Sequence, residues 1–197
     1  MTNCYFFSFS MLFASLFNFF GGKEEPYKNN EAYMNKIINR SIKQLENRYG
    51  LVPIGSGGGN IDNKSRKETV SFHLYHKLTK EEARILIIEI VELLLHNINI
   101  DKVIAPYLYN FPFTYKNIEA TVFIYEKDES DLFDPNIGLI SLTRRGTINY
   151  VTYLPNSKWC EYATDVEEPY EQAYKIVTQK DYPHKISDSK DTFNPKG

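Results

Sequence analysis

The chain has 197 residues, of which 42% are hydrophobic and 15% aromatic, and its formal net charge is -2 at pH 7. This near balance of charge argues against nucleic-acid binding driven by phosphate neutralisation, so no nucleic-acid partner is expected. A chain of this length can bury a core that is stable without metal or disulfides. Its only cysteines, Cys4 and Cys160, predict no disulfide framework.

Residues 1–22 form an apolar segment without Lys or Arg. Its centre, Tyr5 to Phe20, would extend roughly 24 Å as a helix, which is short for a bilayer core of about 30 Å and typical of a secretory signal. No clean small-x-small cleavage site follows, which favours an uncleaved anchor instead, and a buried helix is the third alternative. We therefore expect a signal peptide or membrane anchor, and a protein that is membrane-anchored or secreted.

A polar linker, residues 23–30, precedes a predicted amphipathic helix from Glu31 to Tyr49. Asn30 is a suitable N-cap and Gly50 a suitable stop. The apolar stripe of this helix consists of Met34, Ile37, Ile38, Ile42, Leu45 and Tyr49. The polar opposite side predicts a surface helix.

The glycine-rich segment 55–68 resembles a phosphate-binding loop only in composition. A phosphate loop requires Gly directly before Lys-Ser, whereas Asn63 precedes Lys64-Ser65 here. The segment also leads into a strand rather than a helix. We therefore predict a flexible surface loop.

Residues 69–77 alternate between apolar and polar side chains, which predicts a strand. His73 and His76 are three residues apart and point to opposite faces of such a strand, so they do not predict a metal pair.

The longest apolar stretch after the N-terminal segment runs from Leu78 to His96 and predicts a central helix. Thr79 and Glu82 have the spacing of a capping box at its start. Glu89, Glu92 and His96 fall on one narrow strip. This strip is either the solvent-facing edge of the helix or one wall of a metal or acid–base site.

Alternating aromatic residues follow in a segment that contains Pro106 and Pro112. Proline disfavours a helix, so an extended segment is predicted that either covers the core or forms the floor of a binding groove. The candidate binding residues are Tyr107, Tyr109, Phe111, Phe113 and Tyr115.

Three further strands are predicted, over residues 118–125, 137–143 and 147–154. The last two form a hairpin with a primed turn at Arg144-Arg145-Gly146. Arg144 and Arg145 are candidate ligands for a carboxylate or phosphate. The acidic loop between the first two of these strands, residues 126–135, lacks the spacing of a calcium loop.

The C-terminal part contains a loop over residues 155–164, a helix over 169–179 and a polar tail over 180–197 that is predicted to be disordered. Cys160 lies in the loop. It would be a nucleophile only if folding brought a histidine base within hydrogen-bond reach.

Together these elements predict an α+β fold with residues 31–179 as a single domain. We expect an antiparallel sheet of about four strands packed on the central apolar helix (78–96), with additional N- and C-terminal amphipathic helices. No cofactor, metal or catalytic residue is predicted.

The predicted function is that of a non-enzymatic binding protein. It would bind a protein, peptide or small molecule through the aromatic segment or the open face of the sheet, and would contact the membrane through residues 1–22. One alternative is a hydrolase or transferase using Cys160 with a histidine. The other is a carrier of a small ligand or metal using Glu89, Glu92 and His96.

Overall fold

The computed structural model describes residues 26–155 and 161–179 of the chain. The predicted signal or anchor (1–22), Cys160 and the predicted disordered tail (180–197) lie outside the described residues.

Three α-helices and six strands make up the described fold. The helices are α1 (Pro26–Tyr49), α2 (Lys80–Asn99) and α3 (Tyr170–Gln179). The strands are β1 (Val52–Ile61), β2 (Lys64–Leu74), β3 (Ile118–Ile124), β4 (Leu139–Leu142), β5 (Thr147–Tyr153) and β6 (Tyr162–Pro169). Short 3-10 turns occupy Ala105–Tyr107 and Tyr115–Asn117. The helix α1 thus begins inside the predicted linker, at Pro26.

The strands form one sheet in the order β1-β2-β3-β4-β5-β6. All neighbouring strands are antiparallel except β2 and β3, which are parallel. The predicted α+β class is confirmed. The prediction of about four strands, all antiparallel, is wrong, because the sheet has six strands and its β2–β3 pair is parallel. The parallel pair arises because α2 connects β2 to β3 as a crossover, and a crossover returns the chain in the same direction.

The two strands that were not predicted lie at the two edges of the sheet. The prediction of a flexible loop over residues 55–68 is wrong, because β1 contains its first half and β2 begins within its second half. β1 turns into β2 at Asp62 and Asn63, whose φ angles of 50° and 61° are those of a two-residue primed turn. β6 is largely exposed and rich in acidic residues. Neither strand shows strong apolar alternation, because an edge strand exposed to solvent does not require it.

The start of α2 matches the predicted capping box. Thr79 Oγ1 accepts a hydrogen bond from the Glu82 amide at 3.2 Å, and a Glu82 carboxylate oxygen accepts one from the Thr79 amide at 2.8 Å. The helix contacts α1 on one side and α3 on the other, and packs against β3 and β4. Its apolar residues join those of α1 and of one sheet face in a single core. Among the described helices, none is long and apolar enough to cross a membrane.

The hairpin between β4 and β5 forms where it was predicted, but with a different turn. The Gly146 amide donates to the Thr143 carbonyl, and only Gly146 has a positive φ, of 79°. The prediction of a primed turn is therefore wrong. Glycine also suits the position sterically, because a Cβ there would lie 2.8 Å from the ring of Tyr115.

A buried polar cluster joins α2 to the last two strands. Arg84 Nε lies 2.9 Å from Glu168 Oε2, and the Tyr150 hydroxyl donates to the same oxygen at 2.8 Å. The side chains of Arg84 and Glu168 are only 11% and 8% exposed. The burial of Tyr150 and its bond to Glu168 raise the pKa of the Tyr150 hydroxyl, so it remains a donor at neutral pH.

Candidate functional site

The two faces of the sheet differ in what covers them. On one face, the apolar side chains of β2 to β5 are buried under the helices. The opposite face carries a separate set of apolar and aromatic residues, which we call the aromatic sheet face. It comprises His73, Tyr75, Phe123, Tyr125, Leu139, Val151, Tyr153 and Tyr162.

One half of the aromatic sheet face is built around His73. The imidazole centroid lies 5.0 Å from that of Tyr125 and 6.0 Å from those of Tyr75 and Phe123. The Tyr75 hydroxyl and His73 Nδ1 are 3.2 Å apart, within hydrogen-bond distance. Burial lowers the pKa of His73, with Glu129 acting in the opposite direction, so the ring is neutral at pH 7. The centre of this half is therefore aromatic and uncharged.

The other half lies over β4, β5 and β6. Tyr153 is 9% exposed and packs with Leu139, Val151 and Phe123. Its ring lies directly over Gly138, where a Cβ would come within 2.5 Å. Tyr162 on the edge strand is 54% exposed, with its ring centroid 5.9 Å from that of Tyr153. In this half the Tyr162 ring is largely exposed, whereas Tyr153, Leu139 and Val151 are buried.

A second feature, which we call the Glu68 cleft, lies on the helix-covered side. It opens between the N-terminal part of α1, the β1–β2 hairpin and the turn at Ala105–Tyr107, and its volume is about 40 Å³. Met34 and Ile104 supply apolar walls. The oxygen-bearing side chains that line it are Asn30, Glu31, Asn35, Asn60, Asn63, Ser65, Glu68 and Tyr107.

Glu68 is the most buried of the polar residues that line this cleft, with 4% of its surface exposed. The Ser65 hydroxyl donates to Glu68 Oε1 at 2.6 Å. The other oxygen, Oε2, faces Gly58, where a Cβ would lie only 2.9 Å away. Burial, partly opposed by the Ser65 hydrogen bond and reinforced by the Glu31 charge, raises the pKa of the Glu68 carboxyl to about 7. A carboxyl that changes charge near neutral pH therefore lies at the bottom of the cleft.

This pKa predicts an unusual pH dependence of stability. Because the folded-state pKa is about 7 and the ordinary value is 4.5, the native protein binds more protons than the unfolded chain between these values. Its stability should therefore fall as the pH rises through this range. Relative to the Glu68→Gln variant, we expect the wild type to lose on the order of 2–3 kcal/mol of unfolding free energy between pH 5 and pH 8.

Urea titrations of both proteins at a series of pH values would measure this difference. The other titrating groups contribute equally to the stability of both proteins, so their effects cancel in the comparison. A difference that stays constant with pH, or that grows in favour of the wild type, would contradict a raised pKa at Glu68.

The predicted aromatic segment does not present one continuous surface. Tyr107, Tyr109 and Phe111 are 36%, 46% and 57% exposed, whereas Phe113 is buried. Tyr115 stacks on Tyr170 of α3 at 4.5 Å and donates to Glu171 at 2.8 Å. The two 3-10 turns lie at the ends of the segment and residues 109–112 between them form bends, so its side chains do not alternate about a straight strand. Of the five residues, only Tyr107 lines the Glu68 cleft.

Arg144 and Arg145 lie exposed at the tip of the β4–β5 hairpin. Neither forms an ion pair with another residue of the described ranges, and neither lines the Glu68 cleft.

The strip on α2 is engaged by neighbouring helices. Glu89 lies 3.6 Å from Arg48 of α1, and Glu92 accepts a hydrogen bond from Tyr170 of α3 at 2.7 Å. His96 is exposed. Within residues 26–155 and 161–179, no group of three or more His, Cys, Asp or Glu side chains is placed to hold a metal ion. The proposed nucleophile Cys160 lies outside these ranges.

The Glu68 cleft was not predicted from the sequence, although the position of Glu68 on β2 indicates a buried carboxylate. Glu68 is two residues before Val70 and therefore shares the inward face of β2 with Val70 and Phe72. A carboxylate in phase with buried apolar residues is a sign of a special environment. Glu68 was not recognised because the predicted strand begins at Thr69, one residue later.

Comparison with known proteins adds no identification: no family model, no curated protein and no solved structure matches this chain. Its function must be inferred from its own residues.

Proposed function

We propose that this chain is a non-enzymatic binding domain, membrane-anchored or exported through residues 1–22, which docks a protein partner on the aromatic sheet face. The observation that carries the proposal is the aromatic surface on the side of the sheet opposite the helices, from His73 to Tyr162.

The chemistry of this face favours a protein partner. Tyrosine rings combine apolar area with a hydroxyl that can donate a hydrogen bond, and they are enriched in protein interfaces. Burial raises the pKa values of Tyr75, Tyr125 and Tyr153, so their hydroxyls remain protonated at neutral pH. Charged pairs such as Lys77–Glu126 lie at the end of the strands rather than among the rings. An uncharged aromatic centre with a polar rim is the usual anatomy of an interface.

The size of the face also fits a protein rather than a small molecule. Six strands spaced about 4.8 Å apart span roughly 24 Å, and seven residues of a strand span roughly 23 Å. The aromatic sheet face covers only part of this rectangle, since its residues lie on or next to β2 to β6 and Leu139, Val151 and Tyr153 are at most 9% exposed. Counted on both sides, the contact would be at or below the lower end for specific complexes, about 1,200 Å². Small molecules bind in concave sites, whereas this surface is a sheet face. We expect a weak or transient protein complex.

Site-specific photo-crosslinking of the full-length chain in its native cells would test this proposal. A photoreactive phenylalanine analogue would replace Tyr162 or Tyr125 on the aromatic sheet face. The matched control is Phe111, which is 57% exposed and lies outside that face, compared with 54% for Tyr162. We expect a discrete adduct from the two sheet positions and none from Phe111.

A second substitution tests whether the adduct depends on the face. Adding Tyr75→Asp should reduce the Tyr162 adduct at least tenfold, because it places a charge among the rings while leaving the crosslinker unchanged. Circular dichroism would verify that each variant is folded. Adducts from Phe111 alone would contradict the proposal and place the binding surface on the aromatic segment. The absence of adducts from all three positions would also contradict it. An adduct of twice the chain mass would identify the partner as a second copy of this chain.

A further inference from the structure

We propose that the Glu68 cleft binds a primary alkylammonium group, with Glu68 as its counter-ion. The sheet face proposed for a protein partner lies on the opposite side of the sheet, so this is a second and separate binding site.

Glu68 presents one carboxylate oxygen to the cleft without a donor. Among the described residues, the Ser65 hydroxyl is the only group that donates to the Glu68 carboxylate, and it donates to Oε1. The residue is only 4% exposed, but Oε2 is not one of the fully enclosed polar atoms that lack a partner, so its small exposed surface opens into the cleft. A carboxylate oxygen in such a position is free to accept a hydrogen bond from a ligand. A ligand with N–H groups and a positive charge would supply the hydrogen-bond donor and the counter-charge that Oε2 lacks.

The described lining of the cleft is rich in hydrogen-bond acceptors. It includes two carboxylates, Glu31 and Glu68, and the other polar side chains among the described lining residues are amides and hydroxyls, without Lys or Arg. Such a lining accepts hydrogen bonds at carboxylate, amide and hydroxyl oxygens and repels anions. Tyr107 adds an aromatic ring, which attracts cations.

The size of the cleft suits a small group. One water molecule needs about 10–15 Å³ of such space, so a cleft of about 40 Å³ admits a group of roughly three non-hydrogen atoms. An ammonium group with its first carbon atoms fits this limit. Met34 and Ile104 would contact the carbon stem, and the rest of the ligand would extend into solvent.

A metal ion is a poorer fit to the same residues. Hard divalent cations take six or more oxygen ligands and usually several carboxylates. The described residues contain no group of three His, Cys, Asp or Glu side chains that could hold one.

Gly58 keeps the acceptor accessible. A Cβ at this position would lie 2.9 Å from Glu68 Oε2 and 3.0 Å from Oε1, so any larger residue would displace the carboxylate. Gly58 belongs to an exposed edge strand, and the three atoms nearest to such a Cβ all belong to the Glu68 carboxyl group. Gly58→Ala therefore disturbs the proposed site without removing its charge.

Isothermal titration calorimetry of the full-length protein with n-butylammonium chloride would test the proposal. We expect a dissociation constant of roughly 1 mM, as for a very small ligand with one charged contact. Binding at pH 7 should release protons, because the cation favours the ionised carboxyl, and titrations in buffers of different ionisation enthalpy would measure this release. Butanol and butyrate should not bind.

Variants distinguish the site from general attraction of cations. Glu68→Gln should weaken binding at least tenfold and abolish proton release, and Gly58→Ala should weaken binding while the protein stays folded. The matched control is Glu167→Gln, an exposed carboxylate on β6 that should change neither property. The N-acetyl methylamide of lysine distinguishes the ligand source. Binding tighter than that of butylammonium points to a peptide side chain, and weaker binding to a free amine.

Three outcomes would overturn the proposal. The first is no saturable binding of butylammonium at about 10 mM. The second is binding that Glu68→Gln leaves unchanged. The third is tighter, Glu68-dependent binding of calcium or zinc, which would assign the cleft to a metal ion instead.

Discussion

Glu168→Ala is expected to lower the free energy of unfolding by about 3–5 kcal/mol, because it leaves a buried guanidinium without its counter-ion. In the native protein Arg84 Nε lies 3.1 Å and 2.9 Å from the two Glu168 oxygens, and Tyr150 donates to one of them. The remaining carboxylate near Arg84 is Glu81, at 4.0 Å and itself 58% exposed. This contact is too long and too solvated to replace the buried pair.

Urea unfolding followed by tryptophan fluorescence or circular dichroism would measure the loss. The matched control is Glu167→Ala, the same chemical change one residue earlier on the exposed face of β6, which should change stability by no more than about 0.5 kcal/mol. Replacing Arg84 and Glu168 together by methionine should recover most of the stability, since no charge is then left unpaired. Equal losses for Glu168→Ala and Glu167→Ala would contradict the buried ion pair.

Leu94→Ala is expected to destabilise the protein by roughly 3–5 kcal/mol. Leu94 lies in the C-terminal half of α2 with none of its surface exposed, in the core shared by the helices and the sheet. The substitution removes buried methyl groups and leaves a cavity that the surrounding β-branched side chains of α2 fill poorly, because they have few alternative rotamers.

The two leucines next to Leu94 provide matched controls for this substitution. Leu93 and Leu95 flank Leu94 in the same helix but are only partly buried. Leu93→Ala and Leu95→Ala make the same chemical change at the same helix propensity, and we expect each to cost less than Leu94→Ala. Denaturant titration of all three variants would establish the order. If Leu94→Ala were the least damaging of the three, the orientation of α2 would be wrong.

The proposed protein-binding and ammonium-binding sites are physically separable. Glu68 shares the inward face of β2 with Val70 and Phe72, whereas His73 belongs to the outward face of the same strand. Because successive strand residues point to opposite faces, one strand contributes to both surfaces without joining them.

Much of the fold could be predicted where local signals are strong. The helix α2 has a capping box and a long apolar stretch, and both lie within a few residues of the predicted position. The strands β2, β3 and β5 alternate in the sequence because one side of each is buried under the helices. The β4–β5 hairpin follows from the glycine at its turn, although the turn type did not.

The edges of the sheet and its candidate sites were harder to predict. β1 is rich in glycine and exposed, so its strand conformation is maintained by pairing with β2 rather than by burial. The aromatic segment alternates in the sequence, but its backbone bends over residues 109–112. Phe113 is therefore buried and Tyr115 half-buried, whereas Tyr109 and Phe111 are exposed.

The sequence by itself determined the elements whose stability comes from their own residues: the capped apolar helix α2, the amphipathic stripe of α1 and the alternating strands. Only the tertiary structure decided which strands are neighbours, that β2 and β3 run parallel, and which carboxylates are buried. The physical reason is that strand pairing and burial depend on residues distant in the chain. Glu168 meets Arg84, and Gly58 meets Glu68, through contacts that no local pattern contains.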